Sequence, residues 1–184
     1  MTRYDDWDLT NERILVADDN PNNLRVMESI LREFGCAVRV VLDGEAAVKS
    51  AHAELPGLII LDIHMPKLDG FDTCARLKES EKTRDIPIIF ASALNEEFHK
   101  VRGFEVGAVD YVTKPLQMEE LRARIGVHLA CARQRKRLVE QADDLRTFNE
   151  SMLDREMRVI ELKKEVNQFA HELGRDAPYP ETEE

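Results

Sequence analysis

A doubly wound α/β fold, a five-stranded parallel sheet covered by helices on both faces, is the fold class this sequence predicts. Three observations carry that reading. From Arg13 to about Leu129, short apolar runs alternate five times with amphipathic segments. The runs are continuous rather than alternating in polarity, as strands buried on both faces are. Four of them stop at small or charged polar residues, at the strand ends where such folds bind ligands.

The first run, "RILVA", leads into "DDNPNN" and then a segment in which Leu24, Met27, Ile30, Leu31 and Phe34 recur at helical spacing. Gly35 ends that pattern as a C-terminal cap does. "AVRVV" and "EAAVKSAHA" form the second strand and helix, and "LIILDI" and "FDTCARLKES" the third pair. "IPIIFA" and "EFHKVRGFEV" form the fourth, and "DYVT" is the fifth strand, followed by a helix from Met118. In the common strand order 2-1-3-4-5 the first and third strands are neighbours at the point where the order reverses. That order gathers Asp18 and Asp19, after strand one, beside Asp62, at the end of strand three.

Three close carboxylates repel one another and raise each other's pKa unless a cation compensates. Mg²⁺ suits the site, since it takes a few carboxylates and phosphate oxygens. Ser92, after strand four, and Lys114, after strand five, supply a hydroxyl and a point charge on the side where a phosphoryl group needs donors. Asp62, on the central strand, is the best-placed nucleophile for an aspartyl phosphate. Taken singly, each feature has an ordinary reading: "DDNP" is a loop and helix cap, and Lys114-Pro115 is a turn. Their joint occurrence at the ends of four strands points to a phosphoryl-transfer site.

The stretches "LVADDN", "LIILDIHMPKLDG", "IIFASA" and "DYVTKP" resemble the receiver domain of two-component response regulators, a flavodoxin-like fold, over residues 13 to 131. The resemblance implies that Asp62 is the phosphoacceptor, that Asp18 and Asp19 are the acidic pair around Mg²⁺, and that His64 offers its backbone carbonyl to the metal. An imidazole ligand at His64 is the alternative, which the preference of Mg²⁺ for oxygen disfavours. Ser92 and Lys114 would hold the phosphoryl oxygens, Ser92 and Tyr111 would form the switch pair, and the Lys114-Pro115 bond would be cis. The phosphodonor would be a sensor histidine kinase or a histidine phosphotransfer protein. His64 and Leu94 flank the site, and an apolar Leu94 should shield the phosphoryl group, giving slow to moderate self-hydrolysis. Such a chain is a phosphoacceptor rather than a turnover enzyme. A phosphatase of the haloacid dehalogenase type also uses an aspartyl phosphate, but its D-x-D pattern is absent, since Asp62-Ile63-His64 lacks the second acid.

The 184 residues allow one ordinary domain with an appendage. A formal net charge of -10 argues against a general nucleic-acid or anionic-membrane binder. No transmembrane run or signal peptide is visible, so a cytoplasmic protein with no membrane partner is expected. Cys36, Cys74 and Cys131 show no paired spacing and read as reduced thiols.

Between Met118 and Leu173 only Gly126 interrupts helix-forming sequence. Such a helix extends on the order of 80 Å and needs a partner surface to be stable. Leu138, Leu145, Met152, Val159, Val166 and Leu173 recur every seven residues, with Phe148, Leu162 and Phe169 three residues on. This is a coiled-coil seam, interrupted at the companion position by Gln141 and Arg155, polar residues of the kind that set register or partner. Leu121, Ile125 and Leu129 follow another face and should pack on the sheet. The basic run "RQRKR" is short and reads as a solvated helix face. "DREMRVIELKKEVN" with "LGRDAPYP" resembles the helical connectors among receiver, PAS and histidine-kinase modules, which implies signal relay or pairing with a like helix. The expected organisation is a flexible N-terminus over 1–11, a receiver domain over 12–131, a coiled-coil helix over 132–173 and a mobile tail over 174–184. Output would come through a parallel homodimer or partner binding, without nucleic acid. The alternative is a constitutive coiled-coil scaffold whose receiver no longer switches.

Overall fold

The computed structural model describes residues 8–93, 102–176 and 178–180. Two compact units divide the chain, Met1–Gln134 and Arg135–Glu184. In the first, strands β1 (Arg13–Ala17), β2 (Ala37–Val41), β3 (Leu58–Asp62), β4 (Ile88–Ala93) and β5 (Asp110–Lys114) form one parallel sheet in the order β2-β1-β3-β4-β5. Helices α1 (Pro21–Glu33), α2 (Gly44–Ala53) and α3 (Gly70–Glu79) follow the first three strands. The described part of α4 is residues 102–105, and α5 runs from Met118 to Glu172.

Successive strand residues point to opposite faces, and the core divides accordingly. Ile14, Val16, Leu58 and Ile60 meet Leu24, Met27 and Leu31 of α1 and Leu121, Ile125 and Leu129 of α5. Leu15, Ala17, Ile59 and Leu61 meet Ala47 and Ala51 of α2 and Phe71, Cys74 and Leu77 of α3. β3 is buried along its whole length, whereas β2, an edge strand, is only half covered.

Short polar caps start the helices and so fix where the strands' loops end. Asn20, Asp43 and Asp69 accept from the backbone N–H of Asn22, Ala46 and Asp72 at 2.9, 2.8 and 2.8 Å. Gly35 closes α1 at φ +84°, where the N–H of Cys36 reaches back to the carbonyl of Leu31. Cys36 and Cys74 are buried, and burial pushes both thiols up to about 11; Cys131 is exposed.

Three features lie near the expected boundaries, and of the expected terminal segments residues 1–7 and 181–184 fall outside the described residues. Leu9 is buried in the core and the N–H of Asn11 bonds Gly35, so packing begins before residue 12. The first unit extends to Gln134, where Arg133 is ion-paired with Glu12. In the second unit the helix closes at Gly174, with φ +65°, and Tyr179 lies back against it. The Asn167 amide exchanges two hydrogen bonds with the Tyr179 backbone, at 2.9 and 3.1 Å, and the Lys163 ammonium lies 5.6 Å from the Tyr179 ring centre. Among the described residues, no helix is long and apolar enough to cross a membrane.

Candidate functional site

The carboxyl ends of β1, β3, β4 and β5 converge on one pocket, as the register requires. Ala17 is level with Leu61, Asp62 with Ala91, and Ala93 with Lys114. Asp62 therefore ends the central strand with Asp18 on one side and Ser92 and Lys114 on the other. Ligand oxygens of Asp18, Asp19 and Asp62 lie within 4.8 Å of one another, Asp18 and Asp62 being buried and Asp19 exposed. The Lys114 ammonium donates to Asp18 Oδ2 at 2.7 Å and to Asp62 Oδ1 at 2.5 Å. Lys114-Pro115 is a cis peptide bond.

This arrangement explains how the core strand can end in a carboxylate: the charge is buried, and the lysine is its partner. Burial pushes the Asp62 carboxyl above its ordinary range; Lys114 opposes that rise, and Asp18 and Asp19 add to it. Burial lowers Lys114, but its two aspartate partners outweigh it and hold the ammonium above its usual value. One cation thus serves two of three clustered acids, and the pocket retains an excess of negative charge. An all-oxygen, carboxylate-rich donor set with one exposed member fits Mg²⁺, which keeps several waters.

Ser92 is buried at the end of β4. A small cleft beside it is lined also by Tyr111, Phe104 and Asp110. Tyr111 is half-buried on β5, edge-on to Phe104 with ring centres 6.4 Å apart. His64 is exposed in the turn after β3, and Leu94 lies outside the described residues.

Two contributions escaped the sequence reading. Asn23 donates to both Asp18 oxygens at 3.1 Å, and the Asn20 N–H donates to Asp18 Oδ1 at 2.9 Å, which fixes that carboxylate. The signal was present in "DDNPNN", where an amide in the first turn of α1 can face back to the strand end. Asp110 is the second. It accepts from Arg124 at 2.7 Å with each oxygen, pairs with His128 at 2.9 Å and accepts its neighbour's N–H at 2.8 Å, so β5 is tied to α5 next to Tyr111. No spacing rule connects residues so far apart.

Comparison with known proteins agrees with this geometry. Residues 14–126 match the response regulator receiver domain family. The receiver domain of the sensor histidine kinase PA1611 from Pseudomonas aeruginosa PAO1, solved with a magnesium ion coordinated in its active-site cleft, is 31% identical with a TM-score of 0.62, over 66% of this chain and 99% of that one. The receiver domain of a signal transduction histidine kinase from Syntrophus aciditrophicus is 34% identical with a TM-score of 0.61, over 65% and 90%. The alkaline phosphatase synthesis transcriptional regulatory protein PhoP of Bacillus subtilis is 42% identical over 115 residues, 62% of this chain and 47% of that protein. The chain spans less than half the length of the curated relatives it matches.

Proposed function

Because the chain belongs to the response regulator receiver domain family, we propose that it accepts a phosphoryl group on Asp62 from a phosphohistidine of a sensor kinase or phosphotransfer protein. The observation that carries this is the Lys114 ammonium, held between the buried Asp18 and Asp62 carboxylates. An Asp62 oxygen attacks phosphorus, the P–N bond of the donor breaks, and the imidazole leaves as its ring nitrogen regains a proton. Asp18, Asp19, Asp62 and the His64 carbonyl would hold Mg²⁺, which would supply charge neutralisation for an anionic nucleophile meeting an anionic phosphoryl group. Lys114 turns from Asp62 Oδ1 to a phosphoryl oxygen, and Ser92 donates its hydroxyl to another. The loss of that Ser92 hydroxyl from its resting position, beside the cleft it shares with Tyr111, is the switch. The protein acts as a phosphoacceptor that also loses its own phosphoryl group, not as a turnover enzyme.

Output passes through the C-terminal helix, as a parallel homodimer. Support comes from the seam, where Leu138, Leu145, Met152, Val159, Val166 and Leu173 are 42 to 73% exposed in the single chain. The test of the chemistry is intact mass after incubation with Mg²⁺ and acetyl phosphate. One phosphoryl adduct on the wild type and none on Asp62→Asn is the expected result; an adduct on both, or on neither, refutes Asp62 as acceptor from this donor.

A second reading has transcriptional control as the output, and the name of the Bacillus relative favours it. The portion of that relative outside the match has no counterpart in the aligned region. Within this acidic chain residues 133–137, four Lys/Arg among five, are the densest basic cluster. Electrophoretic mobility of duplex DNA with phosphorylated protein separates the readings, a salt-sensitive shift supporting this second one.

A further inference from the structure

The parallel homodimer proposed above leaves open the register of its two helices. One pair of residues in the second unit addresses that. Arg155 occupies the companion row of the seam, between Met152 and Val159, and Glu156 flanks it; the four line one shallow groove with Ile160. Two cations of this helix have acidic partners one turn away on the same helix. Arg158 pairs with Glu161 at 3.0 Å and Glu165 at 3.8 Å, and Lys136 with Glu140 at 3.9 Å. Arg155 and Glu156 have no such outlet. The residues three and four positions away are Met152, Ser151, Arg158 and Val159 for the arginine, and Leu153, Met152, Val159 and Ile160 for the glutamate, none of them of opposite charge.

We infer that two copies pair parallel and in register, with Arg155 of each chain bonded to Glu156 of the other, and that this reciprocal ion pair selects the alignment. The inference rests on the pairing proposed above. In a parallel two-stranded coil, a residue of the companion row enters a hole whose rim includes the residue following its own counterpart. For Arg155 that residue is Glu156 of the second copy, and twofold symmetry makes the contact twice. An antiparallel alignment that keeps the seam layers sets Arg155 against Met152 or Val159, so a cation faces apolar side chains. Parallel pairing also brings Arg158 toward Lys163 of the other chain, and both are already occupied. Arg158 is held by its two glutamates and Lys163 by the Tyr179 ring. In register Arg155 also faces its own counterpart, and the two Glu156 carboxylates on the rims of the holes offset that repulsion.

The test is a charge swap on the full chain, read by sedimentation equilibrium. Arg155→Glu places acid against acid and Glu156→Arg places base against base, so each single variant should self-associate about tenfold more weakly or worse. The double variant Arg155→Glu/Glu156→Arg, and a one-to-one mixture of the two singles, should return to within about threefold of wild type. Both positions are exposed in the single chain, and far-ultraviolet circular dichroism checks that the helix persists. A Val159→Cys variant on a Cys131→Ser background should give a disulfide-linked dimer on mild oxidation, since parallel in-register helices bring Val159 against its own counterpart. A double variant as weak as the singles, or singles that associate like wild type, overturns the ion pair and its register while pairing itself stands. A wild type that remains monomeric whether or not it is phosphorylated overturns the pairing and the inference with it.

Discussion

Replacing Gly70 with alanine tests whether the turn after the phosphoacceptor is as tightly built as its geometry says. Gly70 opens α3, and a Cβ there would lie 2.3 Å from the Asp62 carbonyl oxygen and 2.8 Å from Ile63 Cα. Both obstacles are backbone, and non-bonded carbon contacts are normally about 3.5–4.0 Å. The start of α3 and the end of β3 must therefore separate by roughly 1 Å. Helix propensity alone predicts the opposite sign, a gain of about 0.5–1 kcal/mol for Gly→Ala. Overpacking of about 1–3 kcal/mol should prevail, lowering Tm by roughly 5–10 °C for a unit of this size. A displacement near 1 Å at the nucleophile reduces rate on the order of 100-fold. Calorimetry and the time course of adduct formation with acetyl phosphate measure the two effects. Gly57→Ala is the control, since its Cβ would meet mainly the ends of the Glu12 and Leu129 side chains, at 3.1 and 3.3 Å. A Gly70→Ala protein that melts with or above wild type and phosphorylates at the wild-type rate would refute the reasoning.

Three further outcomes follow from the charges. Asp62→Asn should melt above wild type at neutral pH without divalent cation, because a carboxyl held above its ordinary 3.8 loses stability as pH rises from that value through its folded pKa. The gap should vanish in acid below 3.8, which Tm against pH reads directly. Mg²⁺ at a hundred times its Kd should stabilise wild type by about 2.7 kcal/mol, and Asp18→Asn/Asp19→Asn should forfeit nearly all of that shift in a thermal melt. Burial would raise Asp110, but His128, Arg124 and the Tyr111 N–H outweigh it and hold the carboxyl below its ordinary 3.8. Its contribution is present above 3.8 and lost as pH falls through the folded pKa, so Asp110→Asn should melt lower than wild type at pH 7 and converge with it in acid.

The sheet was legible because β1, β3 and β4 carry continuous apolar runs and local signals mark several helix ends. Gly35 after Phe34 and the Asp69-Gly70 start of α3 are local signals, and local chemistry honours them. The acidic pocket was legible for a different reason. In a doubly wound sheet, topology brings strand ends together, so Asp18, Asp62, Ser92 and Lys114 needed only the strand order to become neighbours. What was not legible depends on side-chain direction. That Asn20 caps α1 and leaves Asp18 free for Lys114 could not be read from "DDNP", where any of the three polar residues suits a cap. Asp110 is only the first residue of the strand "DYVT" in the sequence, and its partners Arg124 and His128 belong to a helix whose facing is fixed by Leu121 and Ile125 in the core. The return of Tyr179 on Asn167 was equally hidden, because proline-rich acidic tails carry no periodicity.

If phosphorylation and helix pairing are coupled, the coupling is reciprocal, and that constrains where its energy resides. A non-covalent phosphoryl mimic such as beryllofluoride that tightens pairing tenfold must itself bind tenfold more tightly to the paired form, about 1.4 kcal/mol in each direction. Some element has to differ between the two states. Asp110 is well placed to hold it, since it lines the cleft shared by Ser92 and Tyr111 and also grips Arg124 and His128 of α5. Asp110 makes no contact with the Lys114 ammonium, which is bonded to Asp18 and Asp62. Asp110→Asn should therefore keep adduct formation on Asp62 near the wild-type rate while flattening the dependence of self-association on the mimic. Sedimentation with and without mimic gives the pairing side of the cycle, and titration of the mimic at low and high protein concentration gives the other. Equal loss on both sides places Asp110 on the coupling route. A variant that loses phosphorylation along with coupling shows instead that Asp110 shapes the site itself, and a variant whose two affinities still rise tenfold together shows that the coupling runs through other contacts.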